Sequence, residues 1–180
     1  ENQELEDKRS TSFAPNWQQA LIALALTTAS GGFIFGAMSF LLPRYFEIHL
    51  TELSTNVAVT GILAGIVYGF ASFAQVLVGW LIDRVSPRLV LFWIGLGQIS
   101  FIYLASVFNN LSLFFLSIAA MSFVFGQIPI TDTILVRYIP DHWRTRVLSA
   151  KFLLNLCIAA SVLPISSYML KIGFELETIF

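Results

Sequence analysis

A chain of 180 residues that is 57% hydrophobic and only 12% charged carries too much apolar surface for a water-soluble domain of this size. Its net charge of −1 gives no basic field for a nucleic-acid partner, and its single cysteine, Cys157, excludes an internal disulfide framework. The hydrocarbon core of a bilayer is the solvent that this composition fits.

Residues 1–16 are polar, mixed in charge and without an apolar face, so they read as a solvated cytoplasmic linker or tail, with Pro15 placed to open the first helix. A hydrocarbon layer of about 30 Å takes about 20 apolar residues in a helix. The first charge-free stretch of that kind is 17–42. It is longer than the apolar core of a signal peptide, about 7 to 15 residues, and Pro43-Arg44 offers no cleavage site. The second span is 55–82. A long uncharged run beginning at Leu89 is divided by the polar pair Asn109-Asn110 into a third span, 89–108, and a fourth, 111–136. The fifth is 147–170, and after a charged loop residues 178–180 read as the start of a sixth span that is cut off by the end of the chain. Barrel strands would be about ten residues of alternating polarity, so these long continuous runs predict helices. The expected fold class is an all-α integral membrane protein, a polytopic helical bundle.

Orientation follows from the distribution of Lys and Arg, which are in excess in cytoplasmic loops. Lys8, Arg9, Arg84, Arg88, Arg137, Arg144, Arg146 and Lys151 fall on one side; only Arg44 and Lys171 fall on the other, beside Glu47, Glu52, Glu175 and Glu177. Trp17, Trp80 and Trp143 stand near three boundaries of the basic side, where an amphipathic ring prefers the headgroup layer. The N-terminus is therefore expected in the cytoplasm, with the protein in the cell membrane.

Small residues at spacing four allow helices to approach closely. Gly32 and Gly36 on the first span and Gly61, Gly65 and Gly69 on the second are expected to form such grooves, as bundle packing or as a surface that slides during transport. Gly126 and Pro129 are expected to weaken the fourth helix locally, where a broken helix often lines a cavity.

The charged turn at 79–88, "GWLIDRVSPR", interrupts this apolar landscape. Gly79-x-Leu81-x-Asp83-Arg84, followed by Arg88, resembles the loop between the second and third helices of each half of a major facilitator superfamily transporter, Gly-x-Leu-Ala-Asp-Arg-x-Gly-Arg-Lys. Ser86 and Pro87 stand where that family has Gly and its first basic residue. The resemblance extends from Trp17 onward and includes a Pro-bearing fourth span and the basic "RYIPDHWRTR" loop. It implies an MFS-like six-helix repeat, here the second half with its last helix truncated, and alternating access against the other six-helix half. The implied function is secondary active transport of a small solute, with H+ as a candidate coupling ion and no cofactor.

Asp132 is the one acidic residue inside a span, a few residues before Arg137. An unpaired charge at a helix centre costs about 2.5 to 3.5 kcal/mol on insertion scales, so even a shallow one seeks a partner. The expectation, which the resemblance shares, is a network of Asp83, Arg88 and Asp132 that latches one conformation; proton carriage by Asp132 is the competing role. Polar and aromatic residues at mid-span are the candidates for the solute path: Gln75, Gln127 and Asn155 for hydrogen bonding, Phe35, Tyr68 and Tyr103 for an apolar wall. His49 and His142 are expected in solvated loops, Cys157 in the core, and no metal-ligand cluster is present. An intramembrane enzyme would need a nucleophile or metal constellation that the sequence lacks. The alternative function is a channel-like or non-transporting membrane subunit, although no filter sequence or acidic ring supports a channel.

Overall fold

The computed structural model describes residues 16–50 and 56–173, which form five long helices and no strand. They are α1 Trp17–His49, α2 Val57–Ile82, α3 Pro87–Val107, α4 Asn110–Val136 and α5 Asp141–Lys171. Each is long and apolar enough to cross a membrane. The expected sixth span, the tail and the 51–55 segment lie outside the described residues.

Local chemistry explains the helix ends. Asn56 accepts from the Ala58 backbone N–H and so caps α2. Pro87 opens α3, where its missing N–H costs no hydrogen bond. Two ends depart from the charge-free spans. α1 runs through Pro43 to His49, because Tyr45 and Phe46 beyond the proline are fully buried and hold the last turns in place. The Tyr45 hydroxyl also donates to the Ser106 carbonyl, 3.3 Å away. α5 begins at Asp141 rather than 147, with Pro140 immediately before it. Asp141 and Arg144 pair across the first turn at 2.7 Å, so charged residues that a span excludes still extend the helix.

α4 is the central helix. It packs along α2 on one side and α3 on another, and also meets α1; α5 packs along α1 and touches α4 only slightly. Two apolar clusters fill the bundle. One gathers Met38, Leu42, Tyr45 and Phe46 of α1, Val67 of α2 and Leu113 and Met121 of α4. The other gathers Leu24, Val78, Ile82, Ile94, Ile130 and Ile134 near the opposite end.

Gly32 and Gly36 perform the expected close packing. A Cβ on Gly36 would lie 2.7 Å from the Ala159 carbonyl oxygen, and one on Gly32 would lie 2.8 Å from Asn155 Oδ1, so α1 and α5 meet nearly backbone to backbone. Gly61, Gly65 and Gly69 do not: nothing lies within 4 Å of a Cβ on any of them. That groove faces outward, because the helices that pack on α2 contact its other face.

The outward surface is strongly apolar. Phe73 is 76% exposed, Val76 73% and Ile99 72%, among many large apolar side chains on the outer faces of α2, α3 and α5. A water-soluble monomer rarely exposes a contiguous apolar patch above a few hundred Å², whereas lipid tails solvate such faces without penalty. Helix length, composition and surface together make this a multi-pass membrane helical bundle.

Candidate functional site

The 83–86 turn joins α2 to α3. The backbone N–H groups of Arg84 and Val85 both donate to Leu81, at 3.1 and 2.9 Å. Ser86 has φ −59°, a conformation open to any L residue, so the turn needs no glycine there. Arg84 lies over the Trp80 ring, 3.6 Å from its centroid. Asp83 caps the end of α2 and is exposed, and a Cβ on Gly79 would meet nothing within 4 Å. Leu81 is partly buried against the second apolar cluster.

The expected Asp83–Arg88–Asp132 network is not the arrangement found. Arg88 donates to the Tyr138 hydroxyl at 2.6 Å, which ties the start of α3 to the turn after α4. Arg137 caps the end of α4 and is exposed. Among the described residues Asp83 forms no ion pair, and Asp132 pairs with Lys151 instead: Nζ lies 2.5 Å from Asp132 Oδ1 and 2.6 Å from Thr131 Oγ1. The physical reason lies in α5. With a rise of about 1.5 Å per residue, Lys151 sits about 15 Å into its helix and Asp132 about 6 Å before the end of α4. A lysine stem of four carbons closes the remaining offset toward the helix ends.

This pair stands at the edge of a cavity of about 380 Å³ between α1, α4 and α5. α1 contributes Thr28, Gly31 and Phe35; α4 contributes residues from Val124 to Asp132; α5 contributes Leu148, Lys151, Phe152, Asn155 and Leu156. The cavity exists because α5 leans on α1 and leaves a wedge beside α4. Its walls are mostly apolar, and its charged groups are the two members of the pair. Lys151 is the more buried partner, with its side chain 16% exposed against 43% for Asp132. Nearby, the Thr28 hydroxyl is buried and has no hydrogen-bond partner among the described residues, although the neighbouring Thr27 hydroxyl donates back to the Ala23 carbonyl.

Behind the cavity a buried amide pair links three helices. Gln98 Nε2 donates to Gln127 Oε1 at 2.7 Å, and Gln127 Nε2 donates to the Thr27 carbonyl at 3.1 Å. Gln98 also reaches the Phe123 carbonyl, at 3.3 Å. α4 continues through Gly126 and Pro129 without a break. The Thr131 and Thr133 hydroxyls donate to the carbonyls of Gln127 and Pro129 at 3.0 and 2.8 Å, as is common near a proline in a membrane helix. Gly126 is filled against Val78 and Ile94.

Of the six path candidates, Phe35, Gln127 and Asn155 line the cavity. The Tyr68 hydroxyl donates to the Ser39 carbonyl at 3.0 Å, holding α2 to α1. Gln75 is half-buried on α2 and makes no hydrogen bond with a described residue, and Tyr103 is 67% exposed on the outer face of α3. Cys157 is exposed on α5, not in the core, because only one face of that helix is covered. His49 ends α1, with Nδ1 2.9 Å from Asn109 Oδ1, and His142 is exposed in the first turn of α5. Among the described residues no cluster of His, Cys, Asp and Glu could hold a metal ion. Lys151, Thr28 and Gln98 carry site chemistry that the sequence reading did not assign. Spacing alone holds a partial signal for Lys151: it lies between the apolar runs 147–150 and 152–170, inside a span and not before it.

No family model matches the chain, and no curated protein matches it.

Proposed function

We propose that the protein is a secondary carrier of a small solute, working by alternating access, and that the cavity between α1, α4 and α5 is part of its solute path. The carrying observation is a charged pair, Lys151 and Asp132, at a cavity inside a bundle of membrane-spanning helices. Charges in membrane helices are costly, and they mark solute and ion pathways when they face a cavity. Transporter sites of this kind lie between helix bundles near mid-membrane. The "GWLIDRVSPR" turn and the resemblance to the major facilitator superfamily support the same reading. They favour the second half of such a transporter, with the 83–86 turn and the N-terminus in the cytoplasm and a further six-helix half completing the pathway.

In this reading the inner end of the bundle is held by separate ties. Arg88 on Tyr138 fastens α3 to the turn after α4, and Lys151 on Asp132 fastens α5 to α4. Opening the inner face parts the second tie, so the ion pair takes the latching role that the sequence reading gave to Asp83, Arg88 and Asp132.

Solute flux into proteoliposomes tests the proposal. A carrier gives flux that saturates with solute and falls at least tenfold when Lys151 or Asp132 is neutralised. Ohmic, unsaturating current through the reconstituted chain would replace the carrier with a channel, and no solute-dependent flux with any partner half would leave a non-transporting subunit.

A further inference from the structure

The chemistry of the cavity restricts what it can hold. Its two charged groups have opposite sign and meet where α4 and α5 come together, bonded to each other, with Lys151 also donating to Thr131. Lys151 Nζ has three protons; two are given to Asp132 and Thr131, which leaves one. Asp132 bonds through Oδ1, which leaves Oδ2. The remaining wall is largely apolar, with Phe35, Val124, Ile128 and Phe152. The Gln127 amide gives one proton to the Thr27 carbonyl and accepts one bond from Gln98, which fixes its orientation and leaves one N–H and one carbonyl lone pair.

A solute that engages one charge alone weakens the pair and leaves the other charge without its partner, at the greater cost where that charge is the more buried Lys151. A simple anion on Lys151 leaves Asp132 unpaired; a simple cation on Asp132 leaves Lys151 unpaired. A solute with both charges close together answers both at once. Thr28, Gln127 and Asn155 add neutral hydrogen-bonding groups on all three helices, but a neutral solute leaves the ion pair itself unused. At about 380 Å³ the cavity is at the small end of the usual range for ligand sites, about 300 to 1,000 Å³.

We infer that this cavity takes a small zwitterion with an apolar body, its carboxylate on Lys151, its ammonium on Asp132, and its apolar part between Phe35 and Phe152. The inference rests on the carrier reading for its biological setting, but binding is measurable without transport. The solute enters the ion pair by exchange: each protein charge gives up its partner for the oppositely charged end of the solute, and no proton is transferred.

Three ligands with one skeleton provide the test, measured by equilibrium binding to the purified full chain in lipid nanodiscs: phenylalanine, hydrocinnamate without the ammonium, and phenethylamine without the carboxylate. Phenylalanine is expected to bind at least tenfold more tightly than either analogue. Lys151→Gln should lose phenylalanine and gain phenethylamine, and Asp132→Asn should lose phenylalanine and gain hydrocinnamate. Such a reversal of preference does not arise from misfolding, which weakens all three. Equal affinity for all three ligands on the unmodified chain, or no binding of phenylalanine, overturns the inference whether or not the variants fold. Phenylalanine binding without saturable flux in proteoliposomes would remove the carrier reading and leave the binding site. Saturable flux of another solute, with no binding of phenylalanine, would do the reverse.

Discussion

The contact between Lys151 and Asp132 sets the behaviour of both residues. Because Lys151 is the more buried, Asp132→Asn strands the charge that is harder to solvate, whereas Lys151→Gln leaves a carboxylate already 43% exposed. Insertion scales put an unpaired charge at about 2.5 to 3.5 kcal/mol at a helix centre, and partial exposure reduces that figure. Asp132→Asn is therefore expected to destabilise the bundle by about 2 kcal/mol, Lys151→Gln by about 1 kcal/mol or less, and the double substitution by less than the sum of the two. Thermal unfolding in a fixed detergent reads all three; additive losses would show that the two side chains do not depend on each other. The pair was only half legible in the sequence. Asp132 stands out as the lone acid in a span, but Lys151 falls among the loop charges, since a count of basic residues treats the polar start of α5 as a connection. Choosing its partner required knowing that α5 begins at Asp141 and lies beside the end of α4.

Hydropathy locates the helices because the bilayer demands length and apolarity together, and five of the expected spans are helices here. It locates their ends less well. Hydropathy measures what lipid accepts, whereas a helix ends where capping and packing end it, so Pro43 and the charged "DHWRTR" segment lie inside helices. The small-residue pattern was ambiguous in the same way: spacing identifies a groove but not whether another helix enters it. The two glycine sets therefore make a matched comparison. Gly36→Ala forces a Cβ to 2.7 Å from the Ala159 carbonyl, against rigid backbone, and is expected to cost about 1 to 3 kcal/mol by overpacking. Gly65→Ala meets open space and is expected to be neutral or to stabilise by up to about 1 kcal/mol through helix propensity. Melting temperatures of both variants in the same detergent check this; an equal loss at Gly65 would mean that another helix covers that face.

At the scale of the molecule, the distribution of charge predicts orientation, and a labelling experiment can read it directly. Cys157 lies on the exposed face of α5, so its replacement by Ser gives a background with little expected loss of structure. In that background Ser86→Cys is expected to react with a membrane-impermeant maleimide only after the cells are opened, and a cysteine at Asn109, at the other end of the bundle, to react in intact cells. The opposite pattern would invert the topology. The apolar exterior was legible from composition, whereas the partition of the interior was not, since it depends on which helices choose each other as neighbours.

That partition has a mechanical consequence. α2, α3 and α4 form one tightly joined group, while α5 is joined chiefly to α1 through the glycine contact and only slightly to α4. In the proposed carrier a seam of this kind is where shear is expected to concentrate, with α1 as the hinge pin for α5, the cavity as its gap and the lysine–aspartate contact as the clasp at one end. In that carrier, unfastening the clasp is expected to widen the gap while leaving the three-helix block in place, so that a charge exchange over a few ångströms becomes a displacement along a whole helix.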